Sequence, residues 1–234
     1  MQDSRSRLLS KDVDQSQAVV EAKYSISKDE QRILVLASQK GKIDKDGWFT
    51  IRVADYALAF DLTSNEASRD MRQAYNNFWS QSITVENGDG KELEFRWIQA
   101  RERDRKLGTF GFQFTDKLLP YIQDLSERVS YPLKDVAQIT NPIHMRLYGW
   151  LYGYLEVGEL VLDLDYMKEK FVLSSMPAYA KFNNFKRRIL DSAVEKINET
   201  TPIIVNYEPI KEGRKISKIR FIITEKPKAT NCPS

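Results

Sequence analysis

The sequence predicts an α+β fold made of two similar modules in tandem, and three observations carry that expectation. The chain has 234 residues, which allows one large domain or two of ordinary size. Helix-capping signals and short alternating strands follow one another in an order that occurs twice. Basic residues gather in one stretch, although the net charge of the whole chain is only +3.

In the first half, Ser27-Lys28-Asp29-Glu30 has the form of a capping box, in which the serine hydroxyl takes a backbone N–H three residues on and the glutamate reaches back. It predicts a helix to about Gln39, ended by Gly41. Trp48 to Val53 alternates as a short strand, and Ala54 to Phe60 reads as a short helix stopped at Asp61. Thr63-Ser64-Asn65-Glu66 is a second capping box and opens a longer helix to about Trp79. Ile83 to Val85 and Leu93 to Ile98 flank Asn87-Gly88-Asp89-Gly90, whose Asn-Gly supplies the positive φ angles of a tight turn, so a hairpin is expected there. Phe110, Phe112 and Phe114 alternate in a further strand, and Thr115 is expected to cap a helix carrying Leu118, Leu119, Tyr121 and Ile122.

The segment around Pro132 and Pro142 is expected to hold the boundary between modules. Asn141 caps the next helix, with Pro142 at its first position, where a missing N–H does no harm. Leu160 to Leu164 reads as a strand, Asp165 to Phe171 as a short helix, and Asn183 to about Glu199 as a long one. Ile203 to Tyr207, a turn at Glu212-Gly213 and Ile216 to Ile223 complete a hairpin. The expected division is a tail over 1–19, a first domain over 20–129, a second over 130–224 and a tail over 225–234. Both halves thus run helix, short strand, short helix, long helix, hairpin. Asp55-Tyr56 before Phe60 and Asp165-Tyr166 before Phe171 echo one another within that order. It is the order of a winged helix, the helix-turn-helix variant whose last helix enters a DNA major groove while the hairpin lies along the backbone.

Composition removes several function classes. A hydrophobic share of 41% beside 29% charged is that of a globular chain. The longest apolar runs, such as Ile33 to Ala37, fall far short of the roughly 18 residues of a membrane span, and the polar start Gln2-Asp3-Ser4-Arg5 is unlike a signal peptide. A cytoplasmic protein without membrane contact is expected. One cysteine, Cys232, offers no disulfide framework or thiolate cluster, and one histidine, His144, cannot supply the paired imidazoles of a zinc or metal-dependent nicking site. His144 lies beside Pro142 and Ile143 with no partner at triad spacing and reads as structural. No metal, cofactor or catalytic residue is therefore expected. Tyr148, Trp150, Tyr152 and Tyr154 fall at helical spacing and read as core, and Gly88-Asp89-Gly90 reads as a turn, since no Lys-Ser or Lys-Thr follows it as in a phosphate loop.

Charge and helix phase point to nucleic acid. Lys181 to Arg220 contains ten basic and five acidic residues, and a second basic run is Arg101, Arg103, Arg105 and Lys106. At about 100° per residue, Phe182, Phe185, Ile189, Leu190, Ala193 and Ile197 share one side of the long second-half helix. Asn184, Arg187, Arg188, Asp191 and Glu195 lie opposite, with Lys186 toward the apolar edge. Arg187 and Arg188 are the leading base-edge candidates, because a guanidinium spans O6 and N7 of guanine. Lys181 precedes this helix, and Lys211, Arg214, Lys215 and Lys218 lie at the tip of the last hairpin, where a wing meets phosphates or the minor groove. On the first-half helix Ala67, Met71, Ala74, Tyr75 and Phe78 face inward, while Ser64, Asn65, Ser68, Arg69, Arg72, Gln73 and Asn76 form or flank the outer face. An exposed helix with merely solvated cations is the competing structural reading at each place.

Five stretches carry a resemblance. They are Tyr24 to Arg32, Phe60 to Ser68, Ile139-Thr140-Asn141-Pro142 leading into Met145-Arg146-Leu147-Tyr148, Phe185-Lys186-Arg187-Arg188, and Glu212 to Ser217. In this order the chain resembles the iteron-binding plasmid replication initiators of bacteria over about residues 20 to 224. The resemblance implies two tandem winged helices docking on directly repeated origin DNA. It also implies a monomer that starts replication with the host initiator, helicase and chaperones, and a homodimer, formed through the first domain, that represses its own gene at operator DNA. Base contacts carry over to Lys186, Arg187 and Arg188. The alternative is a dedicated tandem winged-helix transcriptional repressor. A nuclease and a pure protein-interaction module fit the residues less well.

Overall fold

Capping chemistry starts the first long helices where the sequence places them. The structure, a computed structural model, describes residues 2–86, 90–123 and 128–227. Helix α3 (Lys28–Ala37) opens on Ser27, whose backbone N–H donates to Glu30 Oε2 at 2.7 Å while Glu30 N–H donates to Ser27 Oγ at 3.5 Å. Strand β2 (Trp48–Arg52) and helix α4 (Val53–Phe60) follow, and α4 stops at Asp61, a left-handed residue with φ 56°. Helix α5 (Ser64–Asn77) opens on the Thr63–Glu66 capping box and runs into a single 3₁₀ turn, Phe78–Ser80.

Before these elements come helix α1 (Gln2–Leu9), strand β1 (Asp12–Ser16) and helix α2 (Gln17–Glu21), so most of residues 2–19, expected as part of a tail, lie in regular structure. Val13, Val19 and Val20 are buried there, but one valine between two aspartates and an Ala-Val-Val run are too short to show a period.

The hairpin expected over 83–98 does not complete the first module. Strands β3 (Ser82–Glu86) and β4 (Glu92–Arg96) form a two-stranded sheet of their own, and residues 87–89 of the expected Asn-Gly turn lie outside the described residues. The completing hairpin is β5 (Ile98–Asp104) and β6 (Thr109–Phe114), in the order β2-β6-β5. Burial is the reason: Phe110, Phe112 and Phe114 are fully buried, with Phe112 opposite Phe49 and Phe110 opposite Ile51, so β6 belongs in the core beside β2. The basic run Arg101 to Lys106 forms the last part of β5 and the hairpin tip. Thr115 does not cap a helix with its side chain; its hydroxyl donates to Arg96 O at 2.9 Å, and helix α6 (Leu119–Gln123) begins later.

Strand β7 (Arg128–Pro132) pairs antiparallel with β1, and helix α7 (Leu133–Ala137) packs on α1. An interruption at residue 130 would cut this strand. Helix α8 (Pro142–Tyr152) follows α7, and Asn141 caps it through Ile143 N–H at 2.9 Å. Next come strand β8 (Glu159–Asp163), helix α9 (Leu164–Lys170), a 3₁₀ turn Pro177–Tyr179 and helix α10 (Phe182–Phe185). A π-helical segment, Lys186–Asp191, joins α10 to helix α11 (Ser192–Thr200), and strands β9 (Ile203–Glu212) and β10 (Lys215–Glu225) close the chain. The order β8-β10-β9 repeats β2-β6-β5, and α8, α9 and α10–α11 stand where α3, α4 and α5 stand in the first repeat. Tyr148 and Trp150 on α8 are buried core, and the Tyr148 hydroxyl donates to Asp135 at 2.7 Å. Of the expected C-terminal tail, Glu225 ends β10, and residues 228–234, including Cys232, lie outside the described residues. Among the described residues no helix is long and apolar enough to cross a membrane.

Candidate nucleic-acid interface

The α10–α11 helix buries Phe185, Ile189, Leu190, Ala193 and Ile197 and turns Arg187 and Arg188 fully outward, as the helix phase predicts. Among the described residues neither arginine makes an ion pair or a side-chain hydrogen bond, so both guanidiniums are free to meet a partner. Asn184 is half-buried on the same side, and Lys181 is exposed just before α10. Lys186 differs. Its Nζ lies 2.9 Å and 3.0 Å from the two carboxylate oxygens of Asp191, five residues on, a pairing suited to the i to i+5 winding of the π-helical segment. The Tyr207 hydroxyl donates to the same carboxylate, and the Lys186 ammonium sits 5.8 Å above the Tyr207 ring. These hydrogen bonds raise the Lys186 pKa, chiefly through Asp191, and lower that of Asp191, chiefly through Tyr207. The lysine is charged but already neutralised within the protein.

At the β9–β10 tip, Gly213 takes φ 62° and leaves Lys211, Arg214 and Lys215 exposed. Lys218 is partly buried and 3.8 Å from Glu212.

On α5, Ala67, Met71 and Ala74 are buried and Ser64, Asn65, Arg69, Arg72 and Gln73 are exposed, with Ser68 at the margin. Ser64, Asn65 and Gln73 spend no side-chain hydrogen bond within the described residues. The two arginines are engaged: Arg72 Nε donates to Ser68 O at 3.1 Å, and Arg69 Nη2 lies 3.2 Å from Asp70. Asp70 is 2% exposed and also takes Lys28 at 3.2 Å and Arg32 at 3.5 Å, so this buried carboxylate fastens α3 to α5 through two α3 cations.

The β5–β6 hairpin is a wing that the sequence reading missed. Asp104 Oδ1 accepts from Lys106 N–H at 2.7 Å and Leu107 N–H at 2.9 Å, and Gly108 takes φ 64°, which holds Arg105 and Lys106 outward at the tip. Arg101 is not part of that surface. Its guanidinium donates to Tyr75 O and to Asn76 O and lies 4.5 Å from the Tyr75 ring centre, tying β5 to the carbonyl end of α5. Arg103 stacks 4.9 Å from the Phe110 ring centre. The Phe110, Phe112, Phe114 alternation marks β6 in the sequence, but nothing local marks the turn ended by Gly108 as joining it to a preceding strand, β5.

Two sequence profiles of one family cover most of the chain: residues 12–152 match "Initiator Replication protein, WH1" and residues 163–223 match "Initiator Rep protein, WH2". The chain belongs to this family of replication initiator proteins. It is 27% identical over 193 residues to an uncharacterized 27.6 kDa protein of Escherichia coli, covering 81% of this chain and 77% of that one. It is 22% identical over 229 residues to the PI protein of Escherichia coli, covering 82% and 75%. The crystal structure of Pi initiator protein in complex with iteron DNA shares its fold, with a TM-score of 0.74 at 19% identity over 94% of this chain and 99% of that one. Both modules of this initiator are winged helices, as expected.

His144 of the initiator is 7% exposed, with Nε2 3.2 Å from Ser192 Oγ. Burial pushes its pKa down to about 4, so the imidazole is neutral at pH 7. Ser192 Oγ also donates to Arg188 O at 2.8 Å, which makes the pair a tie between α8 and α11. Among the described residues no group of three His, Cys, Asp or Glu side chains could hold a metal ion.

Proposed function

We propose that this protein is a plasmid replication initiator that binds directly repeated origin DNA, iterons, as a monomer, and that as a homodimer it represses its own gene at operator DNA. The repeated layout supports this most strongly: two winged helices in one chain each present an exposed polar helix and a basic hairpin tip, and a protein of the same fold has been crystallised on iteron DNA. In this reading Arg187 and Arg188, with Asn184, read base edges. Lys181, Lys211, Arg214, Lys215 and Lys218 neutralise phosphate at the second module, and Lys186 serves mainly to hold Asp191 and Tyr207 in place. Ser64, Asn65, Ser68, Arg69, Arg72 and Gln73 form the first contact helix, and we add Arg105 and Lys106 as its wing. Phosphate contacts supply affinity and register, and base edges supply sequence. The first module, through α7, supplies the dimer contacts, the second begins at α8, and the host initiator, helicase and chaperones complete assembly at the origin without catalysis by this chain.

The test is plasmid maintenance. An origin fragment lacking its own initiator gene should replicate when this protein is supplied in trans. Loss of the fragment, together with intact repression of a reporter behind the initiator's own promoter, would establish a dedicated repressor instead. Nicking of supercoiled origin DNA in Mg²⁺ would contradict the non-catalytic reading.

A further inference from the structure

We propose that Arg146 is a positioning residue for DNA recognition, locking the second winged helix against the first so that the two recognition helices meet the duplex at one fixed spacing. The inference rests on the reading above that both helices engage a single site. Arg146 projects from α8 and is 5% exposed. Its Nη1 donates to Tyr24 O at 2.6 Å, and its Nη2 donates to Ala22 O at 2.7 Å and to Lys170 O at 3.1 Å. The guanidinium lies 3.6 Å from the centre of the Tyr24 ring and 5.0 Å from that of Phe171. One planar fork therefore joins the segment before α3, in the first module, to the end of α9, in the second.

The chemistry of this clasp is unusual for a structural arginine. Among the described residues no carboxylate lies at ion-pair distance, so the buried cation is compensated only by carbonyl dipoles and aromatic faces. Those groups converge only while the modules are docked. Parting them would strand the charge away from both water and its acceptors. Further links run along the same seam: Tyr24 N–H to Lys170 O at 3.4 Å, Lys23 Nζ to Glu169 Oε1 at 3.1 Å, and Lys170 Nζ to Glu86 Oε1 at 2.6 Å. Each ties the first module to α9, which leads in sequence into the second recognition helix. A lysine at 146 would keep the charge but not the fork, since one ammonium cannot reproduce two separate nitrogens donating to three carbonyls.

The test uses full-length protein and origin repeats in which one or two base pairs are inserted or removed between the halves contacted by the two helices. Each added base pair turns one half by about a tenth of a helical turn relative to the other. Wild type should lose tenfold or more in affinity on such respaced repeats. Arg146→Lys should bind the native repeat several-fold more weakly, yet lose much less on respacing, because its modules adjust to either spacing. The double variant Glu86→Gln, Glu169→Gln changes two carboxylates that are 49% and 45% exposed, so it should fold normally, and it should show the same reduced spacing penalty in smaller measure. If Arg146→Lys fails to fold, the double variant decides. A spacing penalty unchanged in the folded variants would overturn the lock and leave the proposed function standing. A wild type that tolerates respacing would overturn the lock and the single-site reading together. A wild type that does not prefer the repeat over random duplex would overturn the proposed function as well.

Discussion

Arg187 and Lys186 are neighbours in sequence, and the structure gives them different work. Arg187 is exposed and unpaired among the described residues, whereas Lys186 is held by Asp191 at 2.9 Å. Arg187→Ala should therefore cost about 1 to 3 kcal/mol on the cognate repeat with little change on random duplex, measured by competition binding. Equal weakening on both DNAs would make Arg187 a phosphate contact. Lys186→Ala should lose less specificity than Arg187→Ala in the same titration. His144 makes a pH prediction. Its pKa is depressed by burial from 6.5 to about 4, so below pH 6.5 the unfolded chain takes up a proton that the folded protein refuses. Its contribution is full above pH 6.5 and declines as pH falls toward 4, by up to about 3 kcal/mol. Denaturant melts of wild type and His144→Gln across that window should show a shallower pH slope for the variant.

The elements differ in how far local sequence decides them. Both capping boxes form as read, because each needs only residues three apart, and Thr63→Ala should cost about 1 kcal/mol of stability in the same melts. The first wing was not legible. Asn87-Gly88 is the stronger hairpin signal, but which hairpin joins β2 depends on Phe110 and Phe112 meeting Ile51 and Phe49, some 60 residues away in sequence. For the same reason the basic run at Arg101 divides: Arg101 and Arg103 are spent on aromatic rings and carbonyls, and only Arg105 and Lys106 remain at the tip. The outer face of α10–α11 was legible because helix phase alone sets it, whereas the Lys186–Asp191 tie depends on a π-helical segment that a regular 100° wheel does not contain. If both tips are wings on DNA, Arg214→Ala with Lys215→Ala, and separately Arg105→Ala with Lys106→Ala, should weaken cognate and random duplex alike. Each pair should also lower the salt slope of binding by about 2. Loss of specificity alone would place those side chains on base edges.

At the scale of the whole molecule, a net charge of +3 averages a nearly balanced body and a strongly basic segment from Lys181 to Arg220, which holds the proposed recognition helix and wing of the second module. On the proposed reading, two modules with the same strand order let one chain read a site longer than a single helix can span. The seam between them is polar and specific, through Arg146, Lys23 and Lys170, and on the reading proposed above the docking of the modules sets the geometry of that site. Hydroxyl-radical footprinting of the monomer on the plasmid's own origin tests this directly. Each repeat should show two protected blocks about one helical turn apart, and Arg187→Ala should erase one block while sparing the other. A single block per repeat, or protection unrelated to the repeats, would contradict the account.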